Sequence, residues 1–172
     1  MGQKRKIIIM DTSILCVWLK VPGKEVAGKN GAFTYEYVAN HIKSEVVQGA
    51  KLVLPLASLI ETGNHIAHCK GDKQPSADNM ARMINNVADG KAPWMAVDSQ
   101  NRLWEGEELK QLANKWNETV ISESQSIGDA AIVKVAEAYA SQFEVEIFTG
   151  DGGLKNYEYK IVGQRTLRRN RD

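Results

Sequence analysis

"KIIIMDTS", Lys6–Ser13, runs four apolar residues, Ile7 to Met10, straight into Asp11 and two hydroxyl residues. A run that is apolar at every position, rather than at alternate ones, reads as a strand buried on both faces of a parallel sheet. "VEIFTGD", Val145–Asp151, repeats the arrangement late in the chain: a β-prone run ending in Thr149 and Asp151. Two strand-like segments therefore deliver carboxylates from their C-terminal ends.

Working outward, short β-rich runs alternate with longer helical patterns, which predicts an α/β fold with a mainly parallel sheet. Strands are expected near 6–10, 51–54, 94–97, 145–149 and 160–163, and helices near 33–48, 56–69, 76–88, 100–115 and 127–142. "KVPGKEVAGKNG", Lys20–Gly31, and "KGDKQPS", Lys70–Ser76, have the glycine and lysine content of loops. The segment "SIGDAAIVKVAEAYASQF" is apolar around most of its circumference apart from Lys134 and Glu137, so it should pack on more than one side. In doubly wound folds the ligand crevice lies at the carboxyl ends of the strands, where Asp11 and Asp151 are expected.

The 172 residues suit a single domain, 1–172, with a basic tail over 164–172. Hydrophobic residues make up 43% and the net charge is +1, and no apolar run approaches the roughly 18 residues of a membrane span. The apolar part of "MGQKRKIIIM" is too short for a signal-peptide core, so a cytoplasmic location and no membrane partner are expected. Cys16 and Cys69 lack metal-type spacing and read as reduced and buried. The small net charge conceals a polarity. Without Lys4, Arg5, Lys6, Arg165, Arg168, Arg169, Arg171 and Asp172, 15 basic residues remain against 20 acidic ones. Basic ends on an acidic body can hold a polyanion near acidic groups, or serve only as a solvated tail.

Each candidate carboxylate has a purely structural alternative. Asp11 could cap a helix, and Asp151 in "FTGDGG" could belong to a plain turn, since the G-x-G-x-x-G spacing is missing. Ser126 and Asp129 stand three apart, as in a capping box. Glu61, His65 and His68 fall within roughly 60° of one another on a helix, which is also how a solvated polar stripe looks. A zinc site fits poorly, because H-x-x-H is not the i, i+4 pair of helical zinc motifs. Asp98 also ends a strand-like run, and with Ser99 it reads as a helix cap outside the site. Among the tryptophans, Trp18 is the candidate for stacking on RNA and the rest read as packing.

In chain order, "IIIMDTS", Glu61 within a following helix, "GDAAIVKVAEA" and "IFTGD" resemble the motifs of PIN-domain nucleases, toxin-type members included. The resemblance spans roughly residues 6 to 155. It implies a three-layer α/β/α sandwich with strand order 3-2-1-4-5. It also implies an acidic cluster of Asp11, Glu61, Asp129 and Asp151 that binds Mg²⁺ or Mn²⁺ and cleaves RNA, with Ser13 and Thr149 orienting carboxylates and His65 as a weak assistant. Arg165, Arg168, Arg169 and Trp18 are candidate RNA contacts. A protein antitoxin and a homodimer are the partners such a setting implies. The chain departs from the smallest members by extra length around 16–32 and 70–92, and its arginine tail is not part of the motif set. A non-catalytic module that grips RNA or protein is the main rival reading. A haloacid-dehalogenase-type phosphatase would need an acid two residues after Asp11, where Ser13 stands.

Overall fold

A computed structural model describes residues 5–169. Strand β1, Lys6–Met10, forms the middle of a three-stranded parallel sheet, between β4, Lys51–Val53, and β5, Glu144–Phe148. Ile7, Ile8 and Ile9 pair with Lys51, Leu52 and Val53 on one side and with Val145, Glu146 and Ile147 on the other. The unbroken apolar run of β1 follows from that position. Ile8 and Met10 enter one core and Ile7 and Ile9 the other, all fully buried. Strand alternation thus sends one run of residues into two hydrophobic layers.

Helices cover both faces. On the first lie α1, Thr12–Trp18, α2, Tyr35–Val47, and α4, Gln74–Ala88, through Ile14, Leu15, Val38, Ile42, Met80 and Met83; Ile66 of α3, Leu56–His68, joins them. On the second lie α6, Ile127–Ala140, and α7, Gly152–Arg169, through Ile132, Val135, Ala136, Tyr139 and Leu154. The all-round apolarity of α6 is explained by its neighbours. It contacts β5, α3, α7 and α5, Gly106–Glu123, and its two expected exceptions pair with α5, Lys134 with Glu108 and Glu137 with Lys115. Burying each of its large aliphatic side chains is worth roughly 1.5–3 kcal/mol. Both cysteines are free; Cys16 is buried and Cys69 half-buried. Among the described residues, no helix is long and apolar enough to cross a membrane.

Two expected strands are corrected. At 94–97 only a single parallel bridge, Leu52 to Trp94, extends the sheet beyond β4. Pro93 has no amide to donate, Trp94 N turns back to Lys91 O, and a 3-10 stretch, Val97–Trp104, begins at once. At 160–163 there is no strand; the residues belong to α7, whose Leu154, Tyr157 and Ile161 pack on the second core at helical spacing. The basic tail expected over 164–172 is likewise part of α7 as far as Arg169.

The expected loop over 20–31 and the expected helix start at 33–34 instead contain a small antiparallel hairpin. Its strands are β2, Val26–Ala27, and β3, Phe33–Thr34, with a 3-10 turn at Lys29–Gly31 between them. It is fixed to the carboxyl end of β5. A Cβ on Gly150 would stand 2.6 Å from Gly28 N and 3.0 Å from Ala27 Cβ. Only glycine at 150 lets the two backbones approach so closely.

Candidate acidic site

Met10 ends β1 beside Phe148 of β5, and Asp11 N donates to Phe148 O at 3.1 Å. Asp11 is the N-cap of α1, so the structural reading of that residue holds alongside the functional one. Its buried carboxylate accepts through Oδ2 from Ser13 Oγ at 2.6 Å, Thr149 Oγ1 at 2.8 Å and Ser13 N at 3.3 Å. The hydroxyl residues flanking the two strand-end acids therefore converge on one carboxylate oxygen. Thr149 Oγ1 also accepts from Asp151 N at 2.9 Å, and Ser13 Oγ accepts from Gly150 N at 3.0 Å. These bonds tie the end of β1 to the T-G-D turn after β5.

Glu61, on α3, accepts from Thr12 Oγ1 through Oε2 at 2.9 Å. A Cβ built on Gly128 would lie 2.2 Å from Glu61 Oε1, so the first turn of α6 is shaped to admit this carboxylate. Asp129 follows in that turn. Ser126 caps the helix by accepting from Asp129 N at 3.0 Å. Burial pushes the Asp129 carboxyl above the ordinary aspartate range, against a hydrogen-bonding contribution from Ser126, and the charges of Asp11, Asp151 and Glu61 push it the same way as burial. Asp151 is exposed, and its Oδ1 accepts from Leu154 N at 3.0 Å at the start of α7.

All four carboxylates line one open cleft of about 400 Å³, together with Thr12, Ser13, Cys16, His65 and Gly150 and a wall made by Lys24 and the β2–β3 hairpin. Burial pushes the Cys16 thiol up to about 11, with Asp11 and Glu61 adding to the rise and Lys24 opposing it. Asp98 is exposed on the 3-10 stretch and is not in the cleft. It does not cap that stretch either, since Ala96 holds the N-cap position. His68 bonds back to Asn64 O at 2.8 Å and does not line the cleft. Trp18 packs against Trp94, ring centroids 6.1 Å apart, and is not in the cleft lining. The side chains of Arg165, Arg168 and Arg169 lie outside the described residues. The sequence reading missed the hairpin wall and Lys24, for which the lysine-rich 20–31 segment was the available signal.

None of the four acids is ion-paired to a Lys, Arg or His among the described residues. Asp11 Oδ1, Glu61 Oε1 and Asp151 Oδ2 accept no hydrogen bond from them. A second group behaves oppositely. His41, Glu45 and Glu146 bring three potential ligand atoms within 4.8 Å of one another, the tightest metal-type grouping among the described residues, and the four cleft acids do not meet that spacing. Lys6 Nζ already bridges the second group, at 2.9 Å from Glu45 and 2.6 Å from Glu146, while His41 Nε2 lies 2.7 Å from Glu146. An ammonium thus supplies the cation there, and that cluster is a salt-bridge network at the opposite end of β1.

The four cleft carboxylates offer hard oxygens, at least three of which accept no hydrogen bond among the described residues, and they spread more widely than one inner shell. That suits a partly hydrated Mg²⁺ or Mn²⁺, which characteristically takes one or two carboxylates and keeps several waters. Comparisons with protein-family models, with curated proteins and with solved structures each return no match.

Proposed function

We propose that this chain is a metal-dependent endoribonuclease of PIN-domain type that hydrolyses RNA phosphodiester bonds. The observation that carries the reading is the convergence of Asp11, Glu61, Asp129 and Asp151, from four separate parts of the chain, on one cleft with no compensating ion pair among the described residues. The three-stranded order β4-β1-β5 supports the reading as far as the middle three positions, 2-1-4, of the sandwich order 3-2-1-4-5.

Asp11 and Asp129 are the residues assigned to hold the cation, with Glu61 and Asp151 completing the ring of acceptors. A bound Mg²⁺ or Mn²⁺ supplies charge neutralisation of the scissile phosphate and lowers the pKa of an attacking water. Ser13 and Thr149 fix the Asp11 carboxylate from behind, leaving its second oxygen available. Gly128 leaves room for Glu61. His65, exposed on α3 and lining the cleft, is assigned only a minor assisting role. The toxin setting, with a protein antitoxin and a homodimeric form, rests on the resemblance alone. A small DNA-binding protein encoded beside this chain would support it.

The test is cleavage of a single-stranded RNA with Mg²⁺ or Mn²⁺. Cutting is expected, with EDTA and either Asp11→Asn or Asp129→Asn abolishing it in folded protein. Undiminished cutting by both variants overturns the assignment. The wide spacing of the acids keeps one rival in view, a module that binds RNA without cutting it. That rival predicts RNA binding of equal strength with and without Mg²⁺ and no product.

A further inference from the structure

We infer that Lys24 binds a backbone phosphate of the RNA strand and that the β2–β3 hairpin is the wall that holds it there, an inference resting on the nuclease reading. Four observations carry it. Among the described residues, Lys24 is the only lysine or arginine lining the acidic cleft. It is exposed and makes no ion pair with any described residue, although four carboxylates line the same space. It shares the cleft lining with buried Cys16, whose raised thiol pKa it opposes. Its backbone is also held: Lys24 N donates to Val21 O at 2.9 Å, and the hairpin that follows is pressed on Gly150 between Thr149 and Asp151.

The chemistry follows from the charges. An acidic cleft repels a polyanion, so a strand entering it needs positive charge near the metal position. An ammonium not already neutralised by a carboxylate is free to take a non-bridging phosphate oxygen. Its neighbours on the segment are less suited. Lys20 Nζ lies over the Tyr35 ring, 4.1 Å from its centroid, and Lys29 sits on the outer turn of the hairpin, away from the cleft lining.

The experiment is steady-state cleavage of a fluorogenic single-stranded RNA with Mn²⁺, across a series of NaCl concentrations, for wild type, Lys24→Gln, Lys24→Arg and Lys29→Gln. Lys24 is exposed, so thermal melts should show all four folded. Lys24→Gln is expected to raise KM about tenfold with kcat nearly unchanged, as loss of one charge-assisted contact implies. The slope of log(1/KM) against log[NaCl] should become shallower by about 0.7. Lys24→Arg should restore most of the affinity, and Lys29→Gln should change little. An unchanged KM for Lys24→Gln, or an equal effect of Lys29→Gln, overturns the inference while leaving the nuclease reading intact. Should wild type cut nothing, anisotropy with the same labelled RNA separates the cases. Weaker binding by Lys24→Gln alone sustains the contact and removes the nuclease, whereas no binding by wild type removes both.

Discussion

At the scale of single residues, the site is built from groups whose structural and chemical roles coincide. Asp11 caps α1 and lines the cleft; Asp129 belongs to a capped first turn and lines it too. The raised pKa of Asp129 has a definite sign. A carboxyl whose folded-state pKa lies above its unfolded value destabilises the fold when ionised, and that penalty disappears as pH falls through the folded pKa toward the unfolded one. Asp129→Asn, measured by thermal melting in EDTA, is therefore expected to be more stable than wild type at pH 7, with the gap closing as pH approaches 4. Saturating Mn²⁺ should narrow or reverse it. Thr149→Val removes the buried donor to Asp11 and the acceptor for Asp151 N. It is expected to cost about 1–3 kcal/mol in denaturant melts and about 10–100-fold in Mn²⁺ affinity.

At the scale of elements, close backbone approaches explain why glycines stand beside the acids. Gly128→Ala should favour the helix by up to about 1 kcal/mol, but its Cβ would collide with Glu61 Oε1. That oxygen ends a flexible side chain, so the expected outcome is a folded protein with cleavage reduced at least about tenfold, read by circular dichroism and the RNA assay together. Elements that follow a strong period were legible in the sequence: β1, β4, β5, the stretch over α2 to α4, and α6. Helix α1 was not, because its seven residues are almost all buried and show no polar face. The two-residue strands of the hairpin fall below any period, and Pro93 with the Lys91 turn undoes the strand at 94–97. For α7, a strand was expected over 160–163, whereas the spacing of Leu154, Tyr157 and Ile161 carries the helix. The acids could be chosen from sequence because strand ends point to the crevice. For the hairpin wall the lysine-rich 20–31 segment was the one signal, and its placement depends on a contact between residues 28 and 150.

At the scale of the whole molecule, two charged clusters occupy opposite ends of β1 and are solved differently. At the entry end, burial works against Lys6 and Glu146 being charged, yet their mutual hydrogen bonds and those to Glu45 and His41 outweigh it, leaving Lys6 raised and Glu146 lowered. The stability Glu146 contributes is present above its ordinary pKa of 4.5 and is lost as pH falls below it. Glu146→Gln should accordingly lose stability at neutral pH, by about 1–3 kcal/mol for a partly buried pair, and melt like wild type in acid. At the exit end no described residue forms an ion pair with the acids, and the account holds that a divalent ion compensates them. Mn²⁺ titration followed by electron paramagnetic resonance tests this directly, on wild type, Asp11→Asn, Asp129→Asn and Glu146→Gln. Binding should weaken at least about tenfold in the two aspartate variants and stay unchanged in Glu146→Gln. Binding that survives both aspartate changes, or that is lost only with Glu146→Gln, would contradict the account.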